Sequence, residues 1–301
     1  GCVKLSEVEL SATLERIENG AFACTRISRI AIPASCWHIA PLALNTSTAL
    51  PETIGTAYSS TLEQIEVHPD NPAYCMVGPV MCAKTATGLR AVFCEADADT
   101  VDLSSVSSVD VTAFAGTGSI GHLVLSRDVR FDENMPLLAH GRCGKLTLRC
   151  ASADGHEERM DLEIPSGQAG VALMKSGLSG GTVDIERFLA LYDEAVAEET
   201  DELAKAREMV ARLAAPRMLS AQSKDAFSES VTAAFESICI QFGARSYFEG
   251  FEQLMDCGIL NESNISSVIA LLSGYGDAPS SGYLLESKRG RYGNAAFDYE
   301  L

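Results

Sequence analysis

Five consecutive residues have the pattern of a catalytic serine. Residues 177–181 read Gly-Leu-Ser-Gly-Gly, which satisfies the G-x-S-x-G elbow of serine hydrolases. In that elbow, the nucleophile lies on a tight turn between a buried parallel strand and a helix. No sequence typical of such a strand precedes Ser179, and a segment rich in glycine and serine is typical of an interdomain linker. A serine hydrolase that uses Ser179 is therefore a remote alternative.

The histidines and cysteines do not predict a metal site. The chain has five histidines and ten cysteines, but they form no C-x-x-C pair and no cluster with the spacing of zinc ligands. The histidines are dispersed along the sequence. Several cysteines lie inside or beside apolar runs, where a free thiol packs as a small hydrophobic group. We therefore predict no metal, no cofactor and no catalytic residue.

Charge and hydropathy exclude other classes of function. The chain has 301 residues and a formal net charge of −18, whereas nucleic-acid binding needs a basic surface that displaces counterions. No apolar run approaches the roughly 18 residues needed to cross a bilayer. We therefore expect no nucleic-acid partner and no membrane insertion. Free cysteines and the lack of a signal-like segment favour an intracellular location, but the location and the oligomeric state both stay open.

A hydrophobic ladder recurs along the first half of the sequence. In each step, two apolar residues flank one residue, and side chains two apart in an extended segment face the same side. The steps from Leu10 to Ile32 and from Leu103 to Leu125 are each 22 residues long, within the range of about 20–29 for leucine-rich repeats. This spacing predicts a solenoid. The ladder steps are residues 8–10, 30–32, 65–67, 101–103, 123–125 and 146–148.

Other local patterns complete the predicted solenoid. Apolar pairs such as Ala113-Phe114 follow the ladder steps and should fill the convex side from short helical turns. Residues 77–84 and 89–93 flank a Thr-Gly turn and predict an inserted β-hairpin. Residues 146–150 and 160–164 flank Asp-Gly and predict a second hairpin. This second hairpin would cap the apolar end of the last repeat.

Residues 5–22 and the segment Asp70-Asn71-Pro72-Ala73-Tyr74 resemble the BspA-type leucine-rich repeats of bacteria. Those repeats combine an L-x-x-I-x-I-P strand with an A-F step, and some contain a D-N-P-x-Y strand pair. The resemblance covers about residues 4–150, and the second repeat departs from it with Ala43-Leu44 in place of Ala-Phe. It implies an elongated binding scaffold, often at the cell surface, and no enzymatic activity. Residues 251–265 more loosely resemble ankyrin-like helical hairpins.

The second half of the sequence has the apolar period of helices. Residues 184–192 open a helix, and Cys257-Gly258 and Asn261 have the residue types of a helix C-cap and N-cap. We therefore predict an α+β repeat protein with two domains. Residues 1–180 form a leucine-rich-repeat solenoid with a parallel β ladder, an inserted hairpin and a capping hairpin, and residues 181–301 form an all-α helical-hairpin domain. Further helices are predicted at 201–214, 220–242, 244–257, 262–273 and 279–288.

The outward positions of the ladder are the predicted binding site. Side chains on the open face of a solenoid form a regular array that a partner protein can contact, although the same residues can simply solvate the sheet. The predicted function is a non-enzymatic protein–protein interaction scaffold, and a structural protein that associates with itself is the alternative. The predicted binding residues are Glu7, Glu9, Arg29, Gln64, Glu66, His68, Asp102 and His122, with Ser104 and Thr147 on the same face.

Overall fold

The computed structural model describes residues 2–46, 60–110, 112–132, 142–151, 157–178, 180–216 and 219–293. Contacts within the chain divide it into two compact units, Gly1–Ala195 and Val196–Leu301. The fold is a β-solenoid followed by helices, as the sequence predicts. The domain boundary at residues 180/181 stays a prediction.

The first unit contains the strands, one helix and most of a second helix. Their bounds are β1 (Arg16–Ile17), β2 (Arg29–Ile32), β3 (His38–Ile39), β4 (Gln64–Val67), β5 (Tyr74–Val77), β6 (Val80–Thr85), β7 (Gly88–Cys94), β8 (Asp97–Asp102), β9 (Ser108–Val109), β10 (Ser119–Ser126), β11 (Arg130–Phe131), β12 (Arg142–Ala151), β13 (Glu157–Glu163), α1 (Gly167–Gly177), β14 (Gly181–Thr182) and α2 (Ile185–Ala197).

The ladder strands stack in parallel, with their apolar residues facing the core. β2 pairs with β4, while β10 lies between β8 and β12. Leu123 and Leu125 of β10 are buried, as are their equivalents on the neighbouring strands. The first ladder step differs from the prediction because residues 8–10 form no strand. Val8 and Leu10 nevertheless pack, half-buried, against the core.

The ladder is divided into two sheets between β4 and β8. The carboxylate of Glu95 accepts a hydrogen bond from the backbone N–H of Ile65 at 2.9 Å, where a neighbouring strand would otherwise supply a carbonyl. Ala96 N–H donates to Leu62 O at 2.9 Å and joins the two segments beside this point. Burial raises the pKa of Glu95, although the Ile65 hydrogen bond opposes this effect.

A second series of parallel strands, not predicted from the sequence, lies opposite the ladder. β1 pairs with β3, and β7, β9 and β11 pair in order, with β14 antiparallel at the edge. Most of these strands have two residues, so they contain too little alternation to be recognised in the sequence. The turns that carry β2, β8 and β10 each contribute one ladder strand and one strand of this second series, which are β3, β9 and β11 respectively.

The connecting turns place apolar side chains in the core. Ala43, Leu44, Ala113 and Phe114 are buried, whereas Phe22 is half-buried against the core. These segments are turns rather than the short helices that we expected. Their apolar residues fill the interior as predicted, because the position of a side chain relative to the ladder matters more than the type of turn.

The inserted hairpin is confirmed and has a third strand. β6 pairs antiparallel with β7 as predicted, and β5 pairs with the other edge of β6. Asn71 fixes the start of β5. Its side-chain amide donates to Pro33 O and Cys36 O at 2.7 and 2.9 Å. Its side-chain oxygen accepts from the backbone N–H groups of Ala73 and Tyr74 at 2.9 and 2.8 Å.

The capping hairpin is also confirmed. β13 pairs antiparallel with β12, from Lys145 opposite Glu163 to Ala151 opposite Glu157. Its predicted Asp-Gly turn lies outside the described residues. Leu162 faces the core and is buried, while Arg159 and Asp161 are on the opposite face. Charged residues along the exposed edge strand oppose its pairing with another chain.

The prediction of a glycine-rich linker at residues 177–181 is wrong, because this segment contains the end of helix α1. Gly177 is the last residue of α1, and an added Cβ there would lie 2.4 Å from Cδ2 of Phe188 in α2. Phe188 is fully buried. Glycine is thus used for the close approach of two helices. Tyr192 of α2 is also buried, and its hydroxyl donates to Glu163 O at 2.9 Å.

The second unit is helical. The predicted helix 220–242 is two helices, since the backbone leaves helical geometry at Ala234 (φ −100°, ψ 11°). None of the helices in the described ranges has the length and hydropathy needed to span a membrane. The helices are α3 (Glu202–Ala214), α4 (Ala221–Ala233), α5 (Phe235–Ala244), α6 (Phe248–Asp256), α7 (Ile265–Gly274) and α8 (Ala278–Tyr292).

The last four helices form two hairpins with the same turn. In the α5–α6 turn, Tyr247 N–H donates to Phe242 O at 2.9 Å, and Ser246 has φ 52°. In the α7–α8 turn, Asp277 N–H donates to Leu272 O at 3.0 Å, and Gly276 has φ 77°. Residues of one turn thus correspond to residues 30 positions later. The second unit therefore contains a repeated helical hairpin.

Candidate binding face on the ladder sheet

The outward side chains of β2, β4, β8, β10 and β12 form the ladder face. Three of its strands have the same irregular step. In β10, both Ile120 and Leu123 are buried, so the two residues between them face away from the core. β8 and β12 repeat this step in register. The step brings Thr100, His122 and Lys145 into one row across the sheet.

Glycine permits this stacking. A Cβ atom on Gly121 would lie 2.7 Å from Asp99 O, and one on Gly144 would lie 2.8 Å from Gly121 O. Both distances are far shorter than an ordinary van der Waals contact, and backbone atoms cannot rotate away. The two glycines therefore allow three strands to stack closely beneath His122 and Lys145.

His122 is the first member of a hydrogen-bond chain. The hydroxyl of Thr147 donates its one proton to Asp161 Oδ1 at 2.6 Å. Nε2 of His122 lies 2.7 Å from the same hydroxyl oxygen and must therefore be the donor in that contact. This assignment leaves Nδ1 of His122 as the ring nitrogen outside the chain. Thr147 faces outward but is fully buried. Its hydroxyl group is therefore fixed in position as the hydrogen-bond partner of His122.

Asp161 is surrounded by cations. Arg159 contacts both of its carboxylate oxygens, at 2.9 and 3.1 Å, and Lys145 Nζ lies 3.2 Å from Oδ2. Burial opposes the ionisation of Asp161. Hydrogen bonds from Arg159, Thr147 and Lys145 outweigh burial and hold its pKa well below the usual range. Asp161 is therefore a carboxylate at neutral pH.

A second ion pair covers the neighbouring part of the face. Arg149 lies 3.7 Å from Asp102, and the Asp102 carboxylate also accepts from Ser104 N–H at 2.9 Å. Burial acts against the charge of Asp102, but these contacts and nearby His122 lower its pKa. Val124 points outward between Asp102 and Thr147 in register and is nevertheless buried. Charged side chains therefore shield the apolar surface here.

The N-terminal part of the ladder face has fewer contacts. Arg29 and Gln64 are register partners on β2 and β4, and Gln64 Nε2 donates to Glu66 Oε1 at 3.0 Å. Arg29 and Glu66 are both exposed. This group lies on the β2–β4 sheet, so it is separate from the sheet that carries Asp102 and His122.

The remaining predicted residues lie outside the ladder strands. Glu7 and Glu9 are exposed, but their segment forms no strand. His68 follows β4, and its Nδ1 accepts from Asp70 N–H at 3.1 Å in a turn. The structure thus places Arg29, Gln64 and Glu66 together and Asp102 and His122 together. The use of these residues for binding stays a prediction.

Four charged residues of the ladder face are not among those predicted from the sequence. Lys145 is displaced onto it by the irregular step, Arg149 reaches it from the end of β12, and Arg159 and Asp161 come from the capping hairpin. In the sequence, the alternation Arg159-Met160-Asp161-Leu162-Glu163 was a usable signal. With the hairpin register known, it places charged residues of β13 beside Lys145 and Thr147.

The geometry of the ladder face suits recognition better than nucleophilic catalysis. Thr147 is buried and gives its proton to a carboxylate, so its oxygen is neither accessible nor activated by a base. The described residues include no group of three or more histidine, cysteine or acidic side chains that could hold a metal ion. Ser179 lies outside the described residues, and helix α1 precedes it where a hydrolase elbow needs a strand.

The cysteines include thiols that the fold shields. Burial raises the pKa of each of four thiols to about 12. These thiols are fully or almost fully buried, whereas Cys2 is exposed. Because the thiolate is the reactive form, shielded thiols with a raised pKa should react slowly with reagents from solution. The four residues are Cys82, Cys94, Cys143 and Cys239.

We predict that iodoacetamide modifies Cys2 quickly and these four cysteines only after unfolding. Above about pH 8.5 the unfolded chain loses thiol protons, whereas the folded protein keeps them until about pH 12. The folded state should therefore lose stability as pH rises through this window. Peptide mass spectrometry after timed labelling, with urea unfolding at pH 8 and 10, measures both effects. Labelling of all four thiols at the rate of Cys2 would contradict the prediction.

Comparisons with known proteins identify no family. No protein-family model matches the chain, and no curated protein matches it. Among solved structures, a leucine-rich cell surface protein from Faecalibacterium prausnitzii A2-165 is similar, with a TM-score of 0.34 and 20% sequence identity. The match covers 46% of this chain and 35% of that protein. The chain thus spans little more than a third of the protein it matches.

Proposed function

We propose that this chain is a non-enzymatic scaffold that binds another protein through the ladder face. The observation that carries the proposal is the hydrogen-bond chain from His122 through Thr147 to Asp161. It holds polar side chains in place on a rigid sheet before any partner arrives. Ordered side chains lose less conformational entropy on binding than mobile ones do.

The charges of the ladder face favour a protein partner with a mixed-charge surface. Lys145, Arg149 and Arg159 lie among Asp102 and Asp161, although the chain as a whole has a net charge of −18. Alternating charges match a specific complementary pattern better than they match a uniformly charged polymer. The proposed partner is therefore a folded protein surface and not a nucleic acid.

The finer assignment of the two units is also a proposal. We infer that the solenoid is of the BspA type, on the basis of the contacts of Asn71 and Tyr74 in the D-N-P-x-Y segment. Asn71 binds the preceding repeat, and the Tyr74 hydroxyl accepts from Ile39 N–H at 2.8 Å. We further infer that the repeated helical hairpins are ankyrin-like and provide a second surface for partners.

Charge reversal on the ladder face tests the proposed function. The K145E/R159E double variant should weaken partner binding at least tenfold, because it replaces two cations of the face by anions. R130E/K175E is the matched control. It makes the same change in net charge at exposed positions on β11 and α1. Partners are identified by cross-linking and mass spectrometry with the intact chain, and affinities are then measured by calorimetry.

A second variant separates the two parts of the face. R29E/E66K exchanges charges on the β2–β4 sheet without changing the net charge. Loss of binding in this variant alone would place the contact on the N-terminal part. Equal affinity for all variants, with unchanged thermal unfolding, would overturn the proposal. Absence of any partner, together with a mass that rises with concentration in sedimentation, would favour the self-associating alternative, for which exposed Val3 and Leu5 offer a surface.

A further inference from the structure

Two cysteines are placed opposite each other in the inserted hairpin. Cys75 of β5 and Cys82 of β6 are register partners, and Val77 opposite Val80 closes the strand pair around Gly78-Pro79. Gly78 has φ 55°, which fits a tight turn of two residues. The register of the two thiols is therefore fixed by the turn and not by a flexible loop.

The register of β5 and β6 should place the two sulfur atoms near each other. Directly opposed residues of antiparallel strands face the same side, with Cβ atoms about 4.5–5.5 Å apart. A disulfide needs Cβ atoms about 3.5–4.5 Å apart and Cα atoms about 4.4–6.8 Å apart. The Cα separation in an antiparallel pair, about 4.5–5.5 Å, lies within that range. Bond formation therefore requires the two strands to approach slightly, without a change of register.

The two thiols differ in accessibility. Cys75 is partly exposed, whereas Cys82 is fully buried. An oxidant in solution reaches Cys75 first, and Cys82 is positioned to attack the sulfur that has been oxidised. Burial and the neighbouring Cys75 raise the pKa of Cys82 to about 12, so this second step should be slow at neutral pH and faster at higher pH.

We propose that Cys75 and Cys82 form a reversible disulfide by exchange with a low-molecular-weight disulfide such as oxidised glutathione. In the first step, the Cys75 thiolate attacks one glutathione sulfur. A mixed disulfide forms, and one glutathione leaves as a thiolate. In the second step, Cys82 loses its proton and attacks the Cys75 sulfur. The Cys75–Cys82 bond forms and the second glutathione leaves. The two protein thiols are oxidised, and one glutathione disulfide is reduced to two thiols.

The bond would act on a segment that holds neighbouring repeats together. β5 begins at Tyr74, whose hydroxyl accepts from Ile39 N–H in β3. Linking β5 to β6 would restrict its separation from the sheet. Because the strands must approach for the bond to form, the disulfide should be more easily reduced than an unstrained structural one. Such a bond would report the redox state around the protein.

The test uses the full chain incubated with oxidised glutathione at pH 8.5. The chain is then unfolded in urea, all remaining free thiols are blocked with N-ethylmaleimide, the sample is reduced, and the released thiols are labelled with iodoacetamide. We expect mass spectrometry to find iodoacetamide on both Cys75 and Cys82. If reduced glutathione is added after the oxidation and before the blocking step, this labelling should be lost. Cyanogen bromide cleaves after Met76 and Met81 and so places the two cysteines in different fragments. A disulfide should keep these fragments joined.

Three cysteine variants test the two steps of the proposed exchange. C82A should stop the reaction at a mixed disulfide on Cys75, and C75S should abolish labelling at Cys82. C2S changes an exposed cysteine outside the hairpin and should leave the linkage unchanged. The proposal would be overturned if the wild-type chain kept glutathione on Cys75 without closing the bond. Linkage of Cys75 to Cys94, or no oxidation of Cys75 at pH 8.5, would overturn it equally.

Discussion

Replacing Asn71 by alanine should destabilise the solenoid by about 3–5 kcal/mol, because several buried polar groups lose their partners at once. The Asn71 side chain is fully buried and makes four hydrogen bonds. Alanine would leave the carbonyls of Pro33 and Cys36 and two backbone N–H groups without their present partners. Water can reach these groups only if the packing loosens. The expected effect is therefore much larger than that of an exposed substitution.

The single tryptophan provides the measurement for the Asn71→Ala variant. Trp37 follows Cys36, whose carbonyl accepts from Asn71, so its fluorescence reports on this repeat during urea unfolding. Asp70→Ala is the matched control, since Asp70 is the exposed neighbour of Asn71. We expect the control to remain within about 0.5 kcal/mol of the wild type. Equal urea midpoints for the two variants would contradict the assigned role of Asn71.

Replacing Gly121 by alanine should destabilise the ladder sheet by about 2–3 kcal/mol, as expected when a methyl group is forced into a packed site. The new Cβ would lie 2.7 Å from Asp99 O. That atom belongs to the backbone of β8, so relief requires the two strands to separate. His122 is the next residue, and its 2.7 Å contact with Thr147 should lengthen or break.

The Gly121→Ala variant needs a control that tests glycine itself. Gly118 precedes β10, and a Cβ atom there would meet no atom within 4 Å. Gly118→Ala should therefore leave stability and the His122 environment close to those of the wild type. Circular dichroism during thermal unfolding measures stability, and NMR of the histidine ring protons reports on the Thr147 contact. Unchanged His122 signals in Gly121→Ala would show that the glycine stack does not position the histidine.

The Asn71→Ala and Gly121→Ala predictions concern different parts of the solenoid. Asn71 stabilises the attachment of the inserted hairpin to the preceding repeat. Gly121 stabilises the local strand geometry that presents His122 on the ladder face. A binding defect in Gly121→Ala that is absent in Asn71→Ala would therefore connect the ladder face, and not general stability, with partner recognition.

Local patterns in the sequence determined the class of fold. Two-residue alternation in segments such as 123–125 and 146–148 has one low-energy solution, in which the apolar side chains face a common core. The repeat spacing requires these strands to stack. The Thr-Gly and Asp-Gly pairs between short apolar runs determined the two predicted hairpins, and a change of period to that of a helix determined the helical second half. These features depend on neighbours close in sequence.

The tertiary structure decided the second series of parallel strands, helix α1 and the charged part of the ladder face. Two-residue strands such as 108–109 have no periodicity of their own and are extended only because stacked neighbours accept their hydrogen bonds. The linker-like sequence at Gly177 ends a helix, and the missing side chain leaves room for Phe188. A single sequence does not specify either of these distant partners.

The candidate binding face also depends partly on the sequence pattern and partly on the tertiary structure. The ladder pattern by itself placed Asp102 and His122 on the outward face. Only the register of β12 and β13 decided that Thr147 and Asp161 would meet, at 2.6 Å, and that Thr147 would support His122. Pattern determines which way a side chain points, because adjacent residues of a strand alternate. Its hydrogen-bond partners depend on which strands pair and in which register, and these are properties of the folded chain.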